Sequence, residues 1–200
     1  MSVVERFFPY FVRQPHVRIM IFIDGENLAI RYDNKIGEDI PKEHIRREKG
    51  VYLWSFNIAM VAASVNVIRT YYYTSVMGDD QKVSGVIDQL KEAHVDKPRV
   101  YKKSRTKGSK QVDIALCVDM LTNAHRNNYD VAVLIAGDED YVPLVEAVQA
   151  EGKRVFVWFL DNGLSPLLRR AADRFEDLGI LLFSEEDPFS ISDDRFGTAK

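Results

Sequence analysis

The stretch Val131-Ala-Val-Leu-Ile-Ala-Gly-Asp-Glu-Asp140 decides the fold. Its first six residues are apolar with no polar alternation, as in a strand covered on both faces. After Gly137 the run breaks directly into three acids. A second run of this kind stands at Val17–Ile23 and ends in Asp24-Gly25-Glu26-Asn27. Working outward, Val65–Tyr73, Arg99–Lys103, Arg154–Phe159 and Ile180–Phe183 read as further strands. Helical patterns lie between them at Glu26–Tyr32, Val51–Ser64, Gln81–Ala93, Val112–Arg126, Tyr141–Ala150 and Leu164–Phe175, with Gly152 placed as a C-cap. This alternation predicts an α/β fold, a three-layer α/β/α sandwich with a mostly parallel central sheet.

Two hundred residues, 46% hydrophobic and 28% charged, suit one domain whose core needs neither a disulfide nor a structural metal. We place it at residues 17–183, between an N-terminal extension (1–16) and an acidic, loose tail (184–200). The extension carries an aromatic cluster between Val3 and Val12, broken by Pro9 and too short for a signal-peptide core. It reads as a packing or dimer contact, so a homodimer is an expectation. Cys117 has no partner for an internal disulfide, and its apolar neighbours predict a buried thiol. The four histidines lack zinc-ligand spacing, and no apolar run reaches the length of a membrane span. Together these features predict a cytoplasmic protein with no membrane partner.

A net charge of −3 excludes a uniformly basic nucleic-acid binder, so any such surface must be local. The run 102–110 is local in this sense: Lys102, Lys103, Arg105, Lys107 and Lys110 stand in it without an acid, and Gly108-Ser109 makes it a loop. It leads straight into Asp113. A basic loop beside an acidic centre suits a polyanion, although most charge runs are merely solvated. Arg46 and Arg47, in the basic stretch 42–49, have the same two readings.

In an open α/β sheet, ligands bind beyond the carboxyl ends of the strands. Asp24, Asp138 and Asp140 fall there, and Asp113 opens a helix that reaches the same edge. Two carboxylates ~4 Å apart repel by roughly 4 kcal/mol at an effective dielectric of 20. Converging acids therefore protonate, splay or take up a cation, and all-oxygen ligands favour Mg²⁺ or Mn²⁺ over zinc. Each acid also has a structural reading. Asp24 can bond a loop, Asp138 or Asp140 can cap the helix near Tyr141, and Asp113 suits a first helical turn. Asp119 lies about 240° round the helix from Asp113 and points elsewhere.

Asp24-Gly25-Glu26-Asn27 after a strand, Lys110-Gln111-Val112-Asp113 opening a helix, and Gly137-Asp138-Glu139-Asp140-Tyr141 after a later strand resemble the three signatures of the NYN domain. That family, with its LabA-like branch, belongs to the PIN-like nucleases. The resemblance runs from about Val17 to Phe183. It implies a PIN-like fold and a metal-dependent ribonuclease, with Asp24, Asp113, Asp138 and Asp140 binding Mg²⁺ or Mn²⁺ and Asn27 orienting a ligand or the scissile phosphate. The implied substrate is RNA in single-stranded regions, gripped by Lys102, Lys103, Arg105, Lys107 and Lys110. Ala136 and Glu139 depart from the commoner pattern, where a hydroxyl residue and a small residue stand.

Two other readings compete. One is a catalytically silent RNA-binding or regulatory NYN module. The other is a phosphohydrolase with an aspartyl nucleophile, which wants a second Asp two residues after Asp24, where Glu26 stands. No Gly-rich loop ending in Lys-Ser/Thr is present. Strand alternation puts Tyr71 and Tyr73 on one face and Tyr72 on the other, and Trp54 and Trp158 read as core or interface residues.

Overall fold

The computed structural model describes residues 16–36, 43–103 and 110–183. Six strands form one sheet: β1 (Ile19–Asp24), β4 (Val67–Val76), β5 (Lys97–Lys102), β6 (Val131–Ile135), β7 (Arg154–Phe159) and β8 (Arg174–Asp177). Their order is β5-β4-β1-β6-β7-β8, and every pairing is parallel. The chain winds outward from β1 to β5, then returns to the other side of β1 and winds outward again. Winding therefore reverses between β1 and β6, which opens a crevice beyond their carboxyl ends. Asp24 ends β1, and Asp138 lies three residues past the end of β6.

The residues of the central strands alternate between two cores. Ile19, Ile21 and Ile23 join Tyr72, Phe156 and Trp158 on one face. Helices α1 (Gly25–Ile36), α2 (Phe56–Ala63), α3 (Asp80–Glu92) and α7 (Gly179–Phe183) cover that side through Leu28, Ile58, Leu90 and Leu181. Met20, Phe22, Tyr71 and Tyr73 face the other way. There α4 (Lys110–His125), α5 (Val142–Ala150) and α6 (Pro166–Ala171) close the layer with Val112, Leu116, Val145 and Leu168. The expected three-layer sandwich is observed, and so is the split of the three tyrosines. Tyr71 stacks on Tyr73 at 6.1 Å, and all three are buried in the core. Trp54 and Trp158 are buried as well.

Three elements differ from the sequence expectation. Val51–Ser64 is not one helix: Tyr52–Ser55 is strand β3, paired antiparallel with β2 (Ile45–Glu48), and α2 begins only at Phe56. Ser55 makes the break, its hydroxyl accepting the Asn57 backbone N–H at 3.2 Å as an N-cap. The hairpin is fastened by the Tyr72 hydroxyl, which accepts the Leu53 N–H and donates to the Leu53 carbonyl. Leu164–Phe175 contains only the short α6, followed by strand β8. Ile180–Phe183, expected as a strand, lies in helix α7. The edge strand is instead the polar Arg174-Phe-Glu-Asp177, which needs no apolar run because one of its sides has no strand beside it. Cys117 is half-buried on the flank of α4 rather than fully buried. No described helix is long and apolar enough to cross a membrane.

Candidate metal centre

Two glycines let the backbone close around the crevice. A Cβ at Gly25 would stand 1.9 Å from the Tyr72 ring. One at Gly137 would stand 2.3 Å from the Phe159 ring and 2.4 Å from the Gly163 carbonyl oxygen. Both contacts are far inside van der Waals distance, so only glycine fits where β1 and β6 give way to their acids.

Asp24 is 4% exposed at the floor of the crevice. Its Oδ1 accepts the Asn27 backbone N–H at 3.1 Å, the geometry of an N-cap on α1. Its Oδ2 lies 2.9 Å from the Tyr141 hydroxyl, and that hydroxyl also stands 3.3 Å from Asp113 Oδ1. One hydroxyl proton cannot serve two carboxylates at once. Burial, opposed by the Asn27 and Tyr141 hydrogen bonds and reinforced by the charges of Asp113 and Asp138, pushes the Asp24 carboxyl up to about 7. Burial also raises Asp113, and the fields of Asp138, Glu26 and Asp140 add to it. Tyr141 is held far from ionisation by burial and by the two acids that it bridges.

Asp138 occupies the N-cap position of a 3₁₀ turn (Glu139–Tyr141) but caps nothing. Its Oδ2 instead accepts Asn27 Nδ2 at 2.7 Å, and Arg31 lies 3.9 Å from its Oδ1. The capping reading of Asp138 therefore fails, whereas Asp24 both caps and belongs to the cluster. Asp140 is exposed at the rim and acts on Asp113 through its field. Asp119 faces away as expected, accepting the Tyr73 hydroxyl at 2.9 Å and pairing with Arg99.

Sequence reasoning left Glu26 and Tyr141 without a role in the site. Glu26 is buried at 7% exposure, takes the Ser75 hydroxyl at 2.5 Å and is paired with Lys103. Lys103, expected on phosphate, is thus engaged with an acid, and Lys102 lies 3.2 Å from Asp80. Arg105 and Lys107 fall outside the described residues, and Lys110 opens α4. Arg47 is tied to Asp33 at 2.5 Å and lies over the Tyr32 ring, a structural arrangement, while Arg46 is exposed.

Asn27 tests whether these residues suit a divalent cation. Its Nδ2 is spent on Asp138, and its Oδ1 is buried with no partner. An orphaned carbonyl oxygen beside Asp24 and Asp138 is an acceptor that lacks a donor, and a hard cation satisfies such an oxygen. The donor set of Asp24, Asp113, Asp138 and Asn27 is all oxygen, which matches Mg²⁺ or Mn²⁺. Among the described residues no three acidic side chains already stand as a metal cage. The Tyr141 hydroxyl and the Asn27 amide hold the acids together.

The NYN domain family matches residues 18–181. The low amplitude and bright protein LabA of Synechococcus elongatus is 25% identical over 175 residues, covering 80% of this chain and 83% of that protein. The crystal structure of a protein of unknown function, VPA0982, from Vibrio parahaemolyticus superposes with a TM-score of 0.59 at 20% identity, over 82% of this chain and 94% of that one. That likeness concerns the fold alone. With the family match spanning both strand-end clusters and the helix of Asp113, the chain belongs to the NYN domain family, a family of PIN-like nucleases.

Proposed function

We propose that the protein is a divalent-metal-dependent ribonuclease that cuts RNA internally, with Asp24, Asp113 and Asp138 as the cation's carboxylates and Asp140 at the rim. The observation that carries this reading is the Tyr141 hydroxyl shared by Asp24 and Asp113, two acids that a neutral-pH site without a cation cannot both keep charged and satisfied. Membership of a family of PIN-like nucleases supports this reaction class. A bound Mg²⁺ or Mn²⁺ supplies Lewis acidity and lowers the pKa of its water.

The chain's own residues do the rest. Asn27 fixes Asp138 through Nδ2 and keeps a buried Oδ1 free to accept. Tyr141 keeps Asp24 and Asp113 in register and donates to whichever is charged. Burial raises the Asp24 carboxyl to about 7, and a cation bound there would displace its proton. To contact the phosphates of a flanking strand, Lys102 and Lys103 must leave Asp80 and Glu26, with which they pair at the end of β5.

The test of the reaction is incubation with single-stranded and structured RNA in Mn²⁺, Mg²⁺ or EDTA. Cleavage of unpaired regions in either metal, and none in EDTA, is expected. Full-length binding to RNA without cleavage in any metal would favour the silent RNA-binding module instead.

A separate expectation concerns the basic run. Replacing Lys102, Lys103, Arg105 and Lys107 by Ala removes up to four phosphate contacts. Each contact contributes roughly 0.7 to the slope of log affinity against log salt on single strands. Filter binding at several salt concentrations should show weaker binding at low salt and a slope shallower by up to ~3 units. An unchanged slope would take this loop out of the substrate path.

A further inference from the structure

Helix α4 has an outer face that nothing described covers. Ile114, Val118 and Leu121 stand on it at 62%, 57% and 37% exposure, four and then three residues apart and so on one stripe. Gln111 and His125 extend the stripe at either end, and between these two residues no acid, lysine or arginine stands on it. Such a stripe at helical spacing normally meets a partner. Its exposed area, on the order of 300 Å², is well below the roughly 800 Å² per partner of a stable interface. It therefore suits a short segment better than a second copy.

The N-terminal segment has the matching chemistry. Residues 3–12 read Val-Val-Glu-Arg-Phe-Phe-Pro-Tyr-Phe-Val, seven of the ten apolar or aromatic besides one proline. The described chain begins at His16, and Arg18 is fastened just beyond the C-terminal end of α4. Its guanidinium donates to the Asn127 carbonyl at 2.6 Å and to Asp130 at 2.7 Å. The described chain thus begins near the foot of the bare stripe. From Leu121 to Ile114 the stripe runs about 10 Å, and ten extended residues reach about 33 Å.

We propose that residues 3–12, led by Phe7, Phe8 and Phe11, pack along α4 over Ile114, Val118 and Leu121. The interaction links the N-terminus to the helix whose first turn carries Asp113. It is independent of the nuclease reading.

Cys117 is the chain's only cysteine and flanks the stripe between Ile114 and Leu121, half-buried, so it reports coverage. The measurement is the rate of maleimide labelling of Cys117 in the full chain, in EDTA at constant pH, across a range of protein concentrations. Phe8→Ser/Phe11→Ser should raise the rate about fivefold or more, as an uncovered face would. Val118→Ser, an exposed position whose change leaves both cores intact, should raise it similarly. The combined variant should label no faster than either alone, because both uncover the same face. An unchanged rate in Phe8→Ser/Phe11→Ser overturns the proposal. So does a wild-type rate that falls as protein concentration rises, which would assign the stripe to a second copy.

Discussion

Asp24→Asn should make the metal-free protein more stable at pH 8, not less. The folded carboxyl sits at about 7 against an ordinary value of 3.8. A group whose folded value is raised contributes stability that is complete below the unfolded value and is lost as pH rises through the folded one. Wild type without metal should therefore lose stability between about pH 4 and pH 8, by an amount on the order of 4 kcal/mol from this group. Asparagine stays neutral throughout. Its Oδ1 can still accept the Asn27 N–H, and its amide can donate to the Tyr141 hydroxyl, which then turns its proton to Asp113. Denaturant unfolding at pH 5 and pH 8 in EDTA checks this. The substituted protein should lack most of the wild-type decline and exceed wild type at pH 8. A mutant less stable than wild type at pH 8 would mean that the charged carboxylate is favoured where it lies.

The second large effect is on cleavage. Asp113→Asn and Asp138→Asn should each lower the rate of RNA cleavage in Mn²⁺ by about 100-fold or more, the range expected when a group that holds transition-state charge is lost. Asp-to-Asn preserves shape and removes the charge that retains a cation. Asp113 lies on the first turn of α4 and Asp138 at the winding reversal, so neither supports a core. Both variants should melt within a few degrees of wild type, as substitutions outside a core usually do. Time courses on one single-stranded RNA, with wild type and both variants at equal concentration, give the comparison. Equal rates would place the activity outside this crevice.

The sequence carried the sheet because five of its six strands are apolar runs or apolar alternations. The first and fourth expected strands also broke into acids where the sheet's functional edge lies. Arg154–Phe159 needed no adjustment. The edge strand β8 was not legible. An edge strand needs no continuous apolar run, and Arg174-Phe-Glu-Asp177 has none. The β2–β3 hairpin was hidden for a different reason. Tyr52-Leu-Trp-Ser55 is buried on every residue, so it shows neither period, and the apolar Phe56–Ala63 that follows carries the eye into one helix. Only Ser55, a good N-cap, marked the boundary.

The site was partly legible. Asp24, Asn27, Asp113 and Asp138 could be found because they sit at element ends in recognisable motifs, and the structure brings them to one crevice. Tyr141 closes the last of those motifs, but its part depends on which two acids its hydroxyl reaches, a matter of tertiary distance. Glu26 stands in the first turn of α1, where an acid needs no further explanation. Its burial against Ser75 and Lys103 comes from β4, beside β1, and β5, one strand further out, ending at the same edge, 49 and 77 residues away in sequence.

The claim on which the rest depends is that these acids hold a cation. Calorimetric titration of the full chain with Mn²⁺ at pH 7.5 measures it directly. Wild type should show a saturable site, with proton release from Asp24 as the ion binds. Asp24→Asn and Asp138→Asn should weaken it by about 10-fold or more each. Equal Mn²⁺ affinity in wild type and both variants would contradict the account.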